Sequence, residues 1–339
     1  MGNAPAIAVV TQETRLEGLV GRWATKGAAR FRLAKAQAHF QAQVGALGPR
    51  RAAPPAAQAN DEEQVLAAAA FEEYESEDAQ YRATRESLRK ALDFGCPVQF
   101  VARDLVANFE FAACAAVVVL GRDGLVANVA KYAGRTPIVG VNPDPRRIDG
   151  ILVPFSVRRA RQAVQSVLEG RAKLQAVTLA EANLNDGQRL LAFNDFFVGC
   201  QSHVSARYTL RVGGRAEPQS SSGMIISTGA GSTGWLSSIF NMAEGVAAWI
   251  GGKAGARCKL SWGDRRLVWA VREPFRSKSS GASLVAGFLD AGQELIVESL
   301  MPARGVIFSD GVEADFLEFN SGTIASFGVS KQQARLAVE

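Results

Sequence analysis

The run Ala115–Leu120 is apolar at every position and is closed at once by Gly121-Arg122-Asp123-Gly124; no other segment constrains the fold of this chain more. A strand with one wet face alternates apolar and polar residues. This one does not, so both of its faces must be covered, which is the mark of a largely parallel sheet between helices. The neighbouring segments agree. Ile7–Val10 reads as a buried strand and Arg15–Val44 as a helix rich in Ala, Leu, Lys, Arg and Gln. Glu72–Leu92 reads as a charged helix stopped by Gly95 and Pro97, followed by a strand at Val98–Val101. Leu125–Tyr132 has helical composition and Pro137–Val141 is the next strand. The alternation predicts an open α/β sheet of Rossmann-like type. Between the first two helices, Gly48-Pro49 and Pro54-Pro55 break any helix, and the Ala/Pro-rich stretch near 47–63 reads as a mobile loop.

The second half has another character. Ser156–Glu169, rich in Arg and Val, reads as one bridging helix, after which period-2 patterns and turn signals dominate. Lys173–Asn183 and Gln188–Val198 flank Asn185-Asp186-Gly187, a hairpin signal because glycine after Asp supplies the positive φ of a tight turn. Tyr208–Val212, Met224–Ser227, Leu267–Val271, Glu294–Val297 and Val306–Phe308 are further strands. The expected organisation is a Rossmann-like α/β domain over 1–170, a β-rich domain over 171–320, and a C-terminal tail, 321–339, able to return to the first domain. A length of 339 residues suits two cores better than one.

Composition excludes more than it names. With 47% hydrophobic and 21% charged residues the chain is of ordinary globular make-up, not disordered and not collagen-like. The 38 Lys+Arg against 33 Asp+Glu leave +5, a weak preference for anionic partners. The basic residues are dispersed and no aromatic-basic platform is visible, so nucleic acid is not expected. Cys96, Cys114, Cys200 and Cys258 lie far apart, which suits free buried thiols rather than a zinc site or a disulfide framework. Met1–Gln12 lacks the basic and apolar regions of a signal peptide, Ala6 stands where myristoylation wants Ser or Thr, and no stretch reaches ~18 uninterrupted apolar residues. A soluble, cytoplasmic protein without a membrane partner is expected.

Four segments carry chemistry. Gly121-Arg122-Asp123-Gly124 follows a buried strand at the end where open α/β sheets bind ligands; its glycines admit a phosphate, the next helix offers its amides, and Asp123 can accept or orient a hydroxyl proton. Alone, the same residues also suit an ordinary turn with Asp123 as N-cap, and no P-loop pattern is present. Asn194-Asp195 interrupts the apolar run Leu190–Val198; the pair either faces a ligand or meets water at a hairpin end. Ser227-Thr228-Gly229-Ala230-Gly231-Ser232-Thr233-Gly234-Trp235, continuing to Ser238, follows the strand Met224–Ile226. Its small residues let a ligand lie against the backbone, its hydroxyls offer hydrogen bonds and Trp235 a stacking surface; a Gly/Ser linker is the alternative. Ser309-Asp310-Gly311 follows Val306–Phe308 and is otherwise a plain hairpin turn.

In this order and spacing the four segments resemble the NAD kinase family, which carries a GGDG loop in its α/β domain and three later motifs in its β domain. Those are an Asn-Glu/Asp pair, an S-T-x-x-G-S-T-x-[YW] segment and a late Asp-Gly. The wording Ser221-Ser222-Gly223 and Ser227–Trp235 is most similar to the mitochondrial-type branch, and the family is related to the diacylglycerol and sphingosine kinases. The resemblance spans roughly 115–312, and it implies ATP-dependent phosphorylation of the 2′-hydroxyl of the adenosine ribose of NAD, giving NADP. Asp123 would be the base or orienting carboxylate, and Gly121, Arg122 and Gly124 would lie against phosphates. Asn194 and Asp195 would hold the dinucleotide, with Thr228, Gly231, Ser232, Thr233, Gly234, Trp235, Ser238 and Asp310 completing the nucleotide site. Mg²⁺ accompanying ATP is implied, with no dedicated metal ligands and no tightly bound prosthetic group; NAD and ATP are the partners, in a homodimer or homotetramer.

Two residues depart from the family pattern. Arg122 stands where the second glycine is usual and Leu125 where Thr or Ser follows. Arg122 can add a cation beside phosphates, or it can block close approach and strain a positive-φ position; Leu125 lacks a capping hydroxyl. A lipid kinase of the diacylglycerol/sphingosine type and a non-catalytic NAD- or nucleotide-binding relative are the alternative readings.

Overall fold

A computed structural model describes residues 6–46, 71–252 and 258–339; the Ala/Pro-rich stretch near 47–63 lies outside the described residues. Strand β1 (Ala6–Thr11) is followed by helices α1 (Arg15–Trp23), α2 (Lys26–Ala46) and α3 (Phe71–Ala91), then by β2 (Val98–Ala102) and β3 (Cys114–Leu120). Helix α4 (Asp123–Ala130), β4 (Ile138–Asn142), the short β5 (Phe155–Ser156) and α5 (Val157–Leu168) complete the α/β part. The four long strands are parallel in the order β2-β1-β3-β4.

On β3 the absence of polar alternation has its expected cause. Val117 and Val119 enter one apolar cluster with Val126 and Val129 of α4, while Val118 and Leu120 enter another with Leu88, Leu92 and Val164. The chain leaves β1 toward β2 on one side and later enters β3 on the other. The carboxyl ends of β1 and β3 therefore form a switch point, where open α/β sheets take their ligands. Helix α1 opens beside it with a capping box: Thr14 Oγ1 accepts from Glu17 N, and the Glu17 carboxylate accepts from Thr14 N.

The remaining elements are β6 (Leu174–Leu184), β7 (Arg189–Ala192), β8 (Asp195–Cys200), β9 (Ala206–Val212), β10 (Arg215–Ser221), β11 (Met224–Ser227), α6 (Trp235–Trp249), β12 (Arg266–Val271), β13 (Ala286–Asp290), β14 (Leu295–Ser299), β15 (Gly305–Ser309), β16 (Phe316–Glu318) and β17 (Ile324–Ala337). β17 continues the first sheet: Leu336 pairs in parallel with Ile138 of β4, and the rest runs antiparallel to β6 and β14. Beyond β14 come β9 and β10, and β7 pairs β6. A second, antiparallel sheet has the order β13-β12-β11-β8-β15-β16. Phe196, Tyr208, Met224, Trp269 and Phe327 lie in the buried cluster that joins the two sheets. The fold is thus α/β plus a separate antiparallel β-rich layer, the class predicted from the sequence.

One element differs from expectation. Gln188–Val198, read as a single strand, is two: β7 belongs to the first sheet and β8 to the second, and the chain crosses between them at Phe193-Asn194. Periodicity does not show this break, because Leu190–Phe193 and Phe196–Val198 are buried on both sides of it. No helix among the described residues is long and apolar enough to cross a membrane.

Candidate functional site

The crossing at Phe193-Asn194 removes two residues from any strand ladder, so their buried backbone groups need partners from elsewhere. The Asp310 carboxylate takes both amides: Oδ1 accepts from Asn194 N at 2.6 Å and Oδ2 from Phe193 N at 3.1 Å. Thr228 serves the carbonyls. Its Oγ1 donates to Phe193 O at 2.5 Å and its N–H to Asn194 O at 2.8 Å. Asp310 N–H donates to Asp195 O at 3.0 Å, closing the ring of contacts. Three segments far apart in sequence are thereby tied at one point. Asp310 adopts φ +56°, in the left-handed region that Asp tolerates better than most residues.

The loop after β11 is built to approach this point closely. A Cβ on Gly231 would stand 2.2 Å from Asn194 O, and one on Gly229 would stand 1.9 Å from Ser261 O, so neither position admits a side chain. Ser232 Oγ donates to Gly229 O at 2.7 Å and accepts from Leu260 N, which stiffens the turn. Thr228, Gly231 and Ser232 are buried and occupied with the loop itself, whereas Thr233, Gly234 and Ser238 are exposed. Trp235, half-buried, stacks on Phe197 at 5.7 Å and 6°, with the Arg272 guanidinium 5.3 Å from its ring.

Two carboxyl groups at the crossing have opposite surroundings. Asp310 is fully enclosed; burial raises its pKa, opposed by the nearby Lys131 charge and three backbone N–H groups. Asp195, 7% exposed, has no hydrogen-bond donor among the described residues, and the Asn194 carboxamide beside it also makes no hydrogen bond there. Burial, and then the Asp310 charge, push the Asp195 carboxyl up to about 7. A buried carboxyl without a donor is poised for a ligand hydroxyl or amide.

The GRDG segment opens α4, the helix whose C-cap residue Lys131 bonds to Ser309 next to that cluster. Arg122 is the N-cap of α4 and Asp123 its first residue, so the N-cap assigned to Asp123 moves back by one. The half-buried Asp123 carboxylate accepts from Ile151 N at 3.1 Å and Leu152 N at 2.9 Å. Arg122 has φ −104°, ordinary extended backbone, so arginine causes no strain there. Its exposed guanidinium stands 3.5 Å from Glu77 on the rim of a crevice of about 1210 Å³. That crevice opens at the carboxyl ends of β1 and β2 and beside Arg122. Its walls carry Arg15, Arg85, Arg103 and Arg122, but also Glu13, Glu17, Glu77, Asp104 and Asp315. Leu125 is buried against Gly121, so the missing hydroxyl is replaced by packing. Gly124 is exposed and Gly121 buried.

Asp123 is not hydrogen-bonded to the Asn194–Asp310 cluster, but the helix it opens is. At the C-cap of α4, Lys131 Nζ donates to Ser309 Oγ at 2.9 Å, and the neighbouring Tyr132 hydroxyl donates to Asp315. Phe193 and Ala230 also share the apolar cluster of α4. Lys131, Ser309, Tyr132 and Asp315 were not singled out by sequence. No local signal marks them: Asn128 interrupts the apolar residues of α4, and a lysine at a helix end ordinarily faces water. Among the described residues no group of three or more His, Cys, Asp or Glu is placed to hold a metal ion.

No protein-family model matches this sequence, and no curated protein matches it. Solved structures do. Yeast NADH kinase, crystallised with NADH, superposes with a TM-score of 0.53 at 14% identity, over 100% of this chain and 84% of that one. An NAD kinase from Archaeoglobus fulgidus, in complex with ATP, gives 0.49 at 17% identity over 76% and 88%. The chain has the NAD kinase-like two-domain fold.

Proposed function

We propose that the chain is an NAD(H) kinase that transfers the terminal phosphoryl group of ATP to the 2′-hydroxyl of the adenosine ribose, giving NADP(H). The observation that carries this reading is the pair Asn194-Asp195: two polar side chains without partners among the described residues, held at the sheet crossing by Asp310 and Thr228. In this reading they hold the dinucleotide, while the exposed Thr233, Gly234 and Ser238 and the rim of Trp235 line its pocket. Residues 1–170 and 171–320 supply the two walls, with 321–339 returning to the first.

The crevice beside Arg122 takes ATP, with Gly121 and Gly124 against its phosphates. Arg122 exchanges the Glu77 carboxylate for a phosphate oxygen, a stronger charge-assisted pair. Asp123 keeps lone pairs beyond those used by Ile151 and Leu152 and accepts the ribose hydroxyl proton, orienting its oxygen for in-line attack. Phosphoryl transfer passes through a loose transition state, so positioning and charge neutralisation outweigh base strength. Magnesium enters as the counter-ion of ATP, since the described residues form no cage for it. Relatives by resemblance are dimers or tetramers, and the same assembly is proposed here, in the cytoplasm.

Incubation with ATP, Mg²⁺ and either NAD⁺ or NADH should yield NADP⁺ or NADPH; no product with any nucleoside triphosphate or polyphosphate refutes the proposal. One observation favours a second reading, a non-catalytic NAD-binding protein: both Asp123 oxygens already accept backbone amides. Calorimetric NAD⁺ binding without turnover would select it.

A further inference from the structure

Lys131 is a buried cation at the C-cap of a helix whose other buried residues are apolar except Asn128. Its side chain is 1% exposed, with Nζ 4.0 Å from Asp310 Oδ2 and 3.7 Å from Asp315 Oδ2, besides its 2.9 Å bond to Ser309 Oγ. The Tyr132 ring lies 5.5 Å away, and Arg103 adds a like charge that opposes the lysine's own. Burial lowers the Lys131 pKa while the two carboxylates oppose the shift. For stability alone such a lysine is a poor choice, because a well-packed apolar residue in its place is often neutral or better. What the charge adds is geometry. It fixes the Ser309-Asp310 turn, whose carboxylate is what the Phe193 and Asn194 amides donate to.

We propose that Lys131 is a positioning residue that ties the helix opened by Asp123 to the Ser309-Asp310 turn and thereby sets the place of Asn194-Asp195. It acts through Asp310 and touches no substrate. The consequence for substrate rests on the NAD(H) kinase reading above; the consequence for the backbone does not. Removal of the charge loosens the acceptor wall, whereas at the donor crevice Asp315 keeps its bond from the Tyr132 hydroxyl.

The test uses the full chain. In Lys131→Met, amide hydrogen exchange at Phe193 and Asn194 should quicken about 10-fold while β3 stays protected. The KM for NAD should rise roughly 10-fold, with the KM for ATP within about twofold of wild type. Ser309→Ala, which removes only the hydroxyl Lys131 donates to, should shift both readouts the same way by about threefold and decides the matter should Lys131→Met not fold. Unchanged exchange at Phe193 and Asn194 in the folded variant overturns the proposal, as does a parallel rise of both KM values. If the wild-type chain phosphorylates no dinucleotide, the kinase reading fails, and the exchange measurement still decides the role of Lys131.

Discussion

The two segments proposed as walls of the site are made differently. At the GRDG wall the polar groups are open: Arg122 is exposed, Asp123 half-buried, and the arginines and carboxylates beyond them border a wide crevice. At the sheet crossing they are closed: the Asp310 side chain, Thr228 and Ser232 are buried and bonded to backbone. Among the described residues, the side chains of Asp195 and Asn194 are left without a partner there. The difference separates two uses of a polar motif. In the proposed reading, motif residues on one side face what enters; on the other most of them build the backbone on which two residues face it.

The sharpest way to test the contrast is to disable one residue of each kind. Asp123→Asn keeps size but removes the charge that orients the hydroxyl, and it turns one of the two accepting oxygens into a donor, losing the bond from Ile151 or Leu152. Turnover should fall by about 10²–10⁴-fold while NAD⁺ binding by calorimetry stays within a few-fold. Full activity in that variant would end the role assigned to Asp123.

Asp310→Ala should do the opposite: a loss of stability first and of function only as a result. It orphans the Phe193 and Asn194 amides and leaves Lys131 without its buried counter-charge. Denaturant unfolding should show a loss of roughly 2–4 kcal/mol. A variant as stable as wild type but unable to bind NAD would move Asp310 to the ligand-facing class.

A smaller effect distinguishes Asp195 from Asp310. With the Asp195 carboxyl at about 7, the folded state holds a proton that the unfolded chain releases near pH 4. Its contribution is therefore fully present below about pH 4 and lost as the pH rises through about 7. Asp195→Asn should flatten the stability profile between about pH 4 and 7 by roughly 1–3 kcal/mol, read from urea midpoints. A slope identical to wild type would show that Asp195 already has a donor or ready access to water.

How much of this was legible in the sequence follows the same division. The covered strand at Val117–Leu120, the turn at Asn185-Asp186-Gly187 and the glycines at 229 and 231 are local statements, and local chemistry reads them. The split of Leu190–Val198 between two sheets is not local. Nothing in its apolar pattern tells that Phe193 and Asn194 will need Asp310, more than a hundred residues later, to satisfy their amides. Lys131 was invisible for the same reason, since a lysine at a helix end ordinarily faces water and only the packed neighbours make it internal.

Arg122 offers the finest distinction. It replaces a glycine of the resembling family, yet its φ of −104° means that the loop does not require one. Its guanidinium is 55% exposed and 3.5 Å from Glu77, a surface pair of little energetic weight. Arg122→Gly should therefore change stability by no more than about 0.5 kcal/mol. If the side chain meets donor phosphate, the KM for ATP should rise about 3–10-fold, with that for NAD unchanged, and the dependence on ionic strength should weaken. A fall in the KM for ATP would instead mark Arg122 as an obstruction at the rim. A rise confined to NAD would place the crevice on the acceptor side and undo the assignment of the two walls.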